Sequence, residues 1–276
     1  MAENGGTEMA VKLVTREKIA ETSSKGNQEK WRDGNLWYKL DQFRYESHTE
    51  TFTSLLLAHS NIEKDTPFSF VRYEMAQVNV KNTIRTGCIS HHFLGEGQSI
   101  VTVAHLLKHH YGVPLNHLFE KIPSYKGRIA FLADACKDIT RLDFFPQYLT
   151  VLFEIDALIL NNDRHLNNIA VIEQDGKFDY CPIFDQGAGL LSNTQIFRMD
   201  IAPKGLISSV RAQPFDMTFN HLVNSVRNLY GRQLELPKFT RKQLREMLKP
   251  LLEYYPERDR GIISDRVIET VIVRQK

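Results

Sequence analysis

Residues 161–187, NNDRHLNNIAVIEQDGKFDYCPIFDQG, concentrate polar groups directly after an apolar run. Asp163 and Asn168 stand five residues apart, and Asp185 follows two short strand-like runs, 169–173 and 178–184, joined at Gln174-Asp175-Gly176. Asp-Gly between apolar runs signals a hairpin. A loop that feeds a hairpin folds back on itself, so Asp185 is expected to return beside Asn168. A carboxylate and an amide oxygen side by side suit Mg²⁺, which fills its remaining positions with waters and phosphate oxygens. Phosphoryl transfer also needs a carboxylate to orient the incoming hydroxyl and accept its proton, and Asp163 is placed for that role.

These residues need elements to hold them. Asp163, Asn168 and Asp185-Gln186-Gly187 reproduce the order and first spacing of the protein-kinase template, which also asks for a phosphate-covering loop and a lysine on the following strand. Lys39 lies mid-strand in the aromatic segment 35–41, NLWYKLD. Glu50 on the next segment is placed to pair with it, and Glu46, one turn earlier, is a rival. The loop would be Ser23-Ser24-Lys25-Gly26-Asn27-Gln28-Glu29-Lys30, which contains a single glycine. Residues 46–59 read as a helix with Phe52, Leu55, Leu56 and His59 on one face. Residues 66–80 suit one or two strands. Residues 99–111, 125–140, 145–160, 215–230, 240–255 and 259–273 have helical periodicity, with Thr240 placed to cap the fifth of these. The expectation is an α+β, bilobal protein-kinase-like fold. Residues 1–90 form a strand-rich N-lobe with the phosphate loop, the strand lysine and one helix; 91–276 form a mainly helical C-lobe with the catalytic and metal-binding loops. Residues 72–75 and 87–90 are two open choices for the hinge that contacts adenine.

With 276 residues, 42% hydrophobic and 25% charged, the chain has the composition of a globular protein of two modest lobes. A net charge of +2 argues for neither nucleic acid nor membrane as a partner. Residues 227–276 do hold 12 Lys/Arg against 7 Asp/Glu, which reads as a solvated face or as a docking face for an acidic partner. Cys88, Cys136 and Cys181 are far apart and form no CxxC pair, as in a reducing compartment. Residues 151–160 carry Glu154 and Asp156 and are too short for a bilayer span. The start lacks a basic stretch followed by an apolar one, so a cytoplasmic protein is expected. His105 and His109 form an i,i+4 pair, but no third metal ligand stands near them in the sequence.

The residues also resemble a known group, the HipA-like serine/threonine kinases, whose best-known members are toxin–antitoxin kinases. Ser23-x-x-Gly26-x-Gln28-x-Lys30 is similar to that family's phosphate loop, and Lys39 to its strand lysine. Asn161-Asn162-Asp163-Arg164-His165 through Asn168, with Phe184-Asp185, is similar to its catalytic and metal-binding loops. The Asp-Arg-His order is shared with phosphatidylinositol kinases. The resemblance spans about residues 20–190. It implies ATP and Mg²⁺ as cofactors, Asp163 as base, Asn168 and Asp185 as metal ligands, and Lys39 on the α/β-phosphates. It also implies that Lys25, Gly26, Asn27, Gln28, Glu29 and Lys30 cover the triphosphate, that His165 lies near the nucleotide, and that Ser23 or its neighbour Ser24 is autophosphorylated. A protein substrate and an antitoxin or regulatory partner chain follow by the same analogy, with no direct nucleic-acid contact. Family members carry an extra N-terminal subdomain; here about 20 residues precede the loop, so that part is expected to be missing or on another chain. Gln186 replaces the usual aromatic or aliphatic residue after the metal-binding aspartate. The alternatives are a pseudokinase-like nucleotide-binding regulator and a lipid or small-molecule kinase.

Overall fold

A computed structural model describes residues 11–14, 28–113 and 115–275. The expected loop residues Ser23, Ser24, Lys25, Gly26 and Asn27 lie outside the described residues. The first strands are β1 (Val11–Val14), β2 (Lys30–Asp33), β3 (Leu36–Leu40), β4 (Glu74–Val80) and β5 (Thr83–His91). They form one sheet in the order β1-β4-β5-β3-β2. β1 runs parallel to β4 and the other pairs are antiparallel. Tight turns close its hairpins. Gly34 has a φ of 58°, and Lys81-Asn82 sit at 54° and 63°, the left-handed pair that matches strand twist.

Alternation divides the sheet by face. Trp31 stacks on Tyr38 directly across β2–β3, with centroids 5.2 Å apart. Leu40, Val78 and Val80 are buried with them. On the other face, Lys30, Lys39, Cys88 and Met75 line up across four strands in one row. That row faces helix α1 (Glu46–Leu57). α1 is buried almost all round, because helices of the C-terminal region cover the side away from the sheet. The one-sided apolar face expected from Phe52, Leu55, Leu56 and His59 does not exist: Phe52 and Leu56 are buried, whereas Leu55 and His59 are exposed.

After the short α2 (Ile62–Asp65) and the sheet, the chain crosses through 92–98 to β6 (Ser99–Thr102). Residues 99–102, expected in a helix, form a strand instead. Its Ile-Val-Thr run is β-branched, and it pairs with β7 (Ala170–Gln174), which in turn pairs with β8 (Lys177–Tyr180). The Asp175-Gly176 turn between them has φ of 52° and 76°, the geometry of a two-residue type I′ hairpin. The helices are α3 (Val103–Tyr111), α4 (Leu115–Glu120), α5 (Tyr125–Thr140), α6 (Phe145–Ile159), α7 (Pro203–Ile207), α8 (Phe219–Tyr230), α9 (Arg241–Leu252) and α10 (Glu257–Arg274), with a small ladder of β9 (Arg211–Ala212) and β10 (Met217–Thr218). Thr240 caps α9 through a reciprocal capping box with Gln243. α6 is buried on nearly every face because it is the axis of the core, and Pro146 is tolerated in its first turn, where no N–H partner is lost. No helix among the described residues is long and apolar enough to cross a membrane.

Candidate active site

The site is built where the row on β2–β5 meets the loops around β7–β8. Lys39 donates to Glu50 Oε1 at 2.6 Å and to Asp185 Oδ1 at 2.8 Å, and lies 5.2 Å from the Tyr73 ring centre. Glu50 is fully buried and its second oxygen accepts the Gln186 N–H at 2.8 Å. Burial alone would drive Lys39 toward neutrality, but the charges of Asp185 and Glu50 outweigh it and hold the ammonium well above its usual range. Burial likewise opposes ionisation of Asp185. The adjacent Lys39 charge and its hydrogen bond win, and the carboxyl stays below the usual carboxylate range. Asp185 is therefore a charged oxygen donor at a 28% exposed position, as a hard cation requires.

Glu46 does not compete for Lys39. Its carboxylate accepts the N–H groups of Gln42, Phe43 and Arg44 at 2.6–3.2 Å, closing the turn that enters α1. Lys30, opposite Lys39 on β2, is also part of the site. Burial lowers its ammonium, and Asp185, Lys39 and Glu50 all act on it electrostatically. Its neighbours are engaged elsewhere: Gln28 donates to the Leu40 carbonyl at 2.9 Å, and Glu29 pairs with Arg85 at 2.5 Å.

α6 ends in a left-handed Leu160, and the chain turns at once into 161–168. Asn161 donates to Asp156 at 3.0 Å and to the Asp185 carbonyl at 3.3 Å, and its own oxygen accepts the Asp163 N–H. The Asp163 side chain is 62% exposed, free to meet an incoming group. Partial burial raises its carboxyl above the usual value, His165 works against that, and the charge of Asp185 adds to it. His165 Nε2 lies 3.9 Å from Asp163 Oδ1. The Asn168 amide nitrogen donates to the Asp163 carbonyl at 2.9 Å, leaving the amide oxygen as the group it can offer a cation. Among the described residues no three His, Cys, Asp or Glu side chains form a metal cluster. His105 and His109 are stacked rings on α3.

The mutual contacts of three buried groups, Asp156, Arg164 and Gln186, went unread in the sequence. Asp156, on α6, takes Arg164 Nε and Nη2 at 3.0–3.2 Å, and both side chains are buried. Gln186 Oε1 accepts from Arg164 Nη2 at 2.9 Å. The available signal was two acidic residues, Glu154 and Asp156, inside a largely apolar helix, since a buried charge is rarely left unpaired. As for the hinge, Tyr73 packs beneath Lys39, and Cys88 and Ser90 lie on β5. The crossing itself carries Phe93, which packs on Phe184 with centroids 6.5 Å apart.

No protein-family model matches the chain, and no curated protein matches it in sequence. Solved structures do. The Helicobacter pylori proinflammatory kinase CtkA superposes with a TM-score of 0.56 at 13% identity, covering 91% of this chain and 92% of that one. The HipA–HipB–operator DNA complex of Shewanella oneidensis MR-1 matches with a TM-score of 0.43 at 11% identity, covering 91% of this chain and 64% of that one. The likeness to CtkA shows the fold: this chain is a kinase-like α+β protein with a strand-rich N-terminal sheet and a helical C-terminal region.

Proposed function

We propose that the chain is an ATP- and Mg²⁺-dependent kinase of the HipA-like kind, which transfers the γ-phosphate to a Ser/Thr hydroxyl of a protein and also phosphorylates itself at Ser23 or Ser24. The observation that carries this is the Lys39–Glu50 pair with Asp185 on the same ammonium: a kinase fold requires the lysine–glutamate pair before phosphoryl transfer, and it sets the metal-binding aspartate beside that pair. Lys39, joined by Lys30, binds the phosphates. Asp185 and Asn168 would hold Mg²⁺, which when bound neutralises charge on the transferring group. Asp163, exposed and raised in basicity, accepts the hydroxyl proton. His165 stands beside it near the nucleotide, and residues 25–30 cover the triphosphate. The antitoxin or regulatory partner and the cytoplasmic setting belong to the same proposal, resting on the likeness of 161–168 to that family's motif.

Phosphate on the loop serine adds a charge of about −1.5 to −2 where the ATP phosphates must sit, so self-modification inhibits. Incubation with Mg·ATP followed by intact-mass and peptide mass spectrometry tests the reading, with Asp163→Asn as control. One phosphate on Ser23 or Ser24, absent from the control, is expected. A protein that neither gains phosphate nor shows a thermal shift with Mg·ATP would overturn it.

A further inference from the structure

Asp185 has a φ of 64°, in the left-handed region that a residue with a side chain adopts at a cost. Such backbone persists only where its surroundings fix it from several directions. Here they do. On one side of Asp185, the Phe184 carbonyl accepts from Arg164 Nη1 at 2.9 Å. On the other, the Gln186 side chain accepts from Arg164 Nη2 at 2.9 Å, and the Gln186 N–H is held by Glu50. The Asp185 carbonyl itself accepts from Asn161. The same Arg164 Nη1 reaches the Asn168 carbonyl at 2.8 Å. Nε and Nη2 also lie against Asp156, so all three guanidinium nitrogens have acceptors inside the protein. An ammonium in that place could not span three separate segments, because only the planar fork presents five donors at fixed angles.

We propose that Gln186 and Arg164 are positioning residues for the cation: the guanidinium, aimed by Asp156, grips the chain on both sides of Asp185 and at Asn168, and so sets both oxygen donors before a metal arrives. This rests on the kinase reading above. It also gives Gln186 a function. Where an aromatic residue after the metal-binding aspartate could swing between packed positions, a glutamine whose side-chain oxygen sits on a buried arginine, on backbone whose N–H is held by Glu50, has one position. The metal loop is therefore clamped, with no packing switch at this point.

The test uses Gln186→Leu, which keeps bulk and removes the acceptor, and Gln186→Glu, which keeps the acceptor. Binding of Mn²⁺ with ADP, followed by electron paramagnetic resonance, reads the donor geometry without any turnover. Groups that orient metal ligands commonly change metal affinity by about 10–100-fold. Gln186→Leu is expected to lose about tenfold at that lower bound, while Gln186→Glu stays near the wild type. In the protein without ligands, amide exchange at 185–187 should quicken in Gln186→Leu alone. If Gln186→Leu does not fold, Gln186→Asn, whose oxygen falls short of Arg164, reads the same effect. Mn²⁺ affinity and exchange in these variants equal to the wild type would overturn the inference and leave the kinase reading standing. A wild type that takes up no Mn²⁺ with ADP would sink both.

Discussion

Lys39 and Asp185 lie 146 residues apart in the chain and meet at 2.8 Å, with Glu50 on the same ammonium at 2.6 Å. Because Glu50 is fully buried, removing the cation strands a charge. Lys39→Met is expected to destabilise by about 3–5 kcal/mol, as for other broken buried pairs. Lys39→Met/Glu50→Gln, which removes the ammonium and the fully buried carboxylate, should recover part of that loss. Urea unfolding of both variants checks this, and a double variant no more stable than the single one would contradict it. Neither should bind Mg·ATP as the wild type does.

Asp163 and Asp185 are both carboxylates but are assigned different work, and substitution separates them. Asp163→Asn removes the proton acceptor and leaves the phosphate contacts, so turnover should fall by about 10²–10⁴-fold with nucleotide affinity retained. Asp185→Ala should weaken Mg·ATP binding as well. Partial burial, with Asp185 adding to it, raises the Asp163 carboxyl, so the acid limb of the kcat profile should lie above the ordinary carboxylate range. A thermal shift titration beside steady-state rates distinguishes the two variants; equal loss of binding in both would refute the assignment.

The parts of this site legible in the sequence are those fixed by local geometry. The approach of Asp185 to the loop that carries Asp163 and Asn168 was readable because that loop and an Asp-Gly hairpin return the chain on itself within 25 residues. The choice between Glu46 and Glu50 was not, since both lie one turn apart on α1. It is settled by three backbone N–H groups that occupy Glu46. Strand β6 was misread because four β-branched or polar residues precede a helix with no break between them. The pairing of Asp156 with Arg164 depends on tertiary approach, and periodicity carries no record of it.

Gly87 marks a second constraint on Lys39. It sits on β5 opposite Leu40, and a Cβ there would collide with the Lys39 carbonyl and press on the Leu40 side chain. Backbone cannot rotate aside as a side chain can. Gly87→Ala should therefore push β3 outward and move the ammonium off Glu50 and Asp185. The expected result is a loss of about 1–3 kcal/mol, the usual cost of overpacking, together with weaker nucleotide binding. Gly176→Ala, whose Cβ meets open space but whose φ is 76°, should cost stability through backbone strain alone and leave nucleotide affinity unchanged. Thermal melts paired with nucleotide titration test the contrast, and unchanged affinity in Gly87→Ala would refute it.

His48 gives the protein a defined acid sensitivity. Its ring is fully buried between Tyr45, Phe52 and Tyr255, and neither ring nitrogen has a partner among the described residues. Burial pushes its pKa down to about 3 from 6.5. A lowered folded pKa means that the unfolded chain takes up the proton first. The stability is thus fully present above pH 6.5 and is lost as pH falls from there toward 3. By pH 4.5 the loss from this one ring is on the order of 2–3 kcal/mol. Asp41 works the other way. Burial and then the charge of Glu46 raise it to about 7, so its contribution grows as pH falls from 7 toward 4. Tyr255 links the two, accepting the His48 backbone N–H and donating to Asp41 at 2.7 Å. The wild-type curve therefore contains both terms, and the difference between wild type and His48→Leu isolates one. His48→Leu should melt close to the wild type at pH 7.5, since an unpartnered polar ring is exchanged for an apolar side chain. It should melt several degrees above the wild type at pH 4.5, at roughly 2–4 °C per kcal/mol for a chain of this size. Parallel melting curves for the two proteins across that range would show that His48 is not the group that titrates.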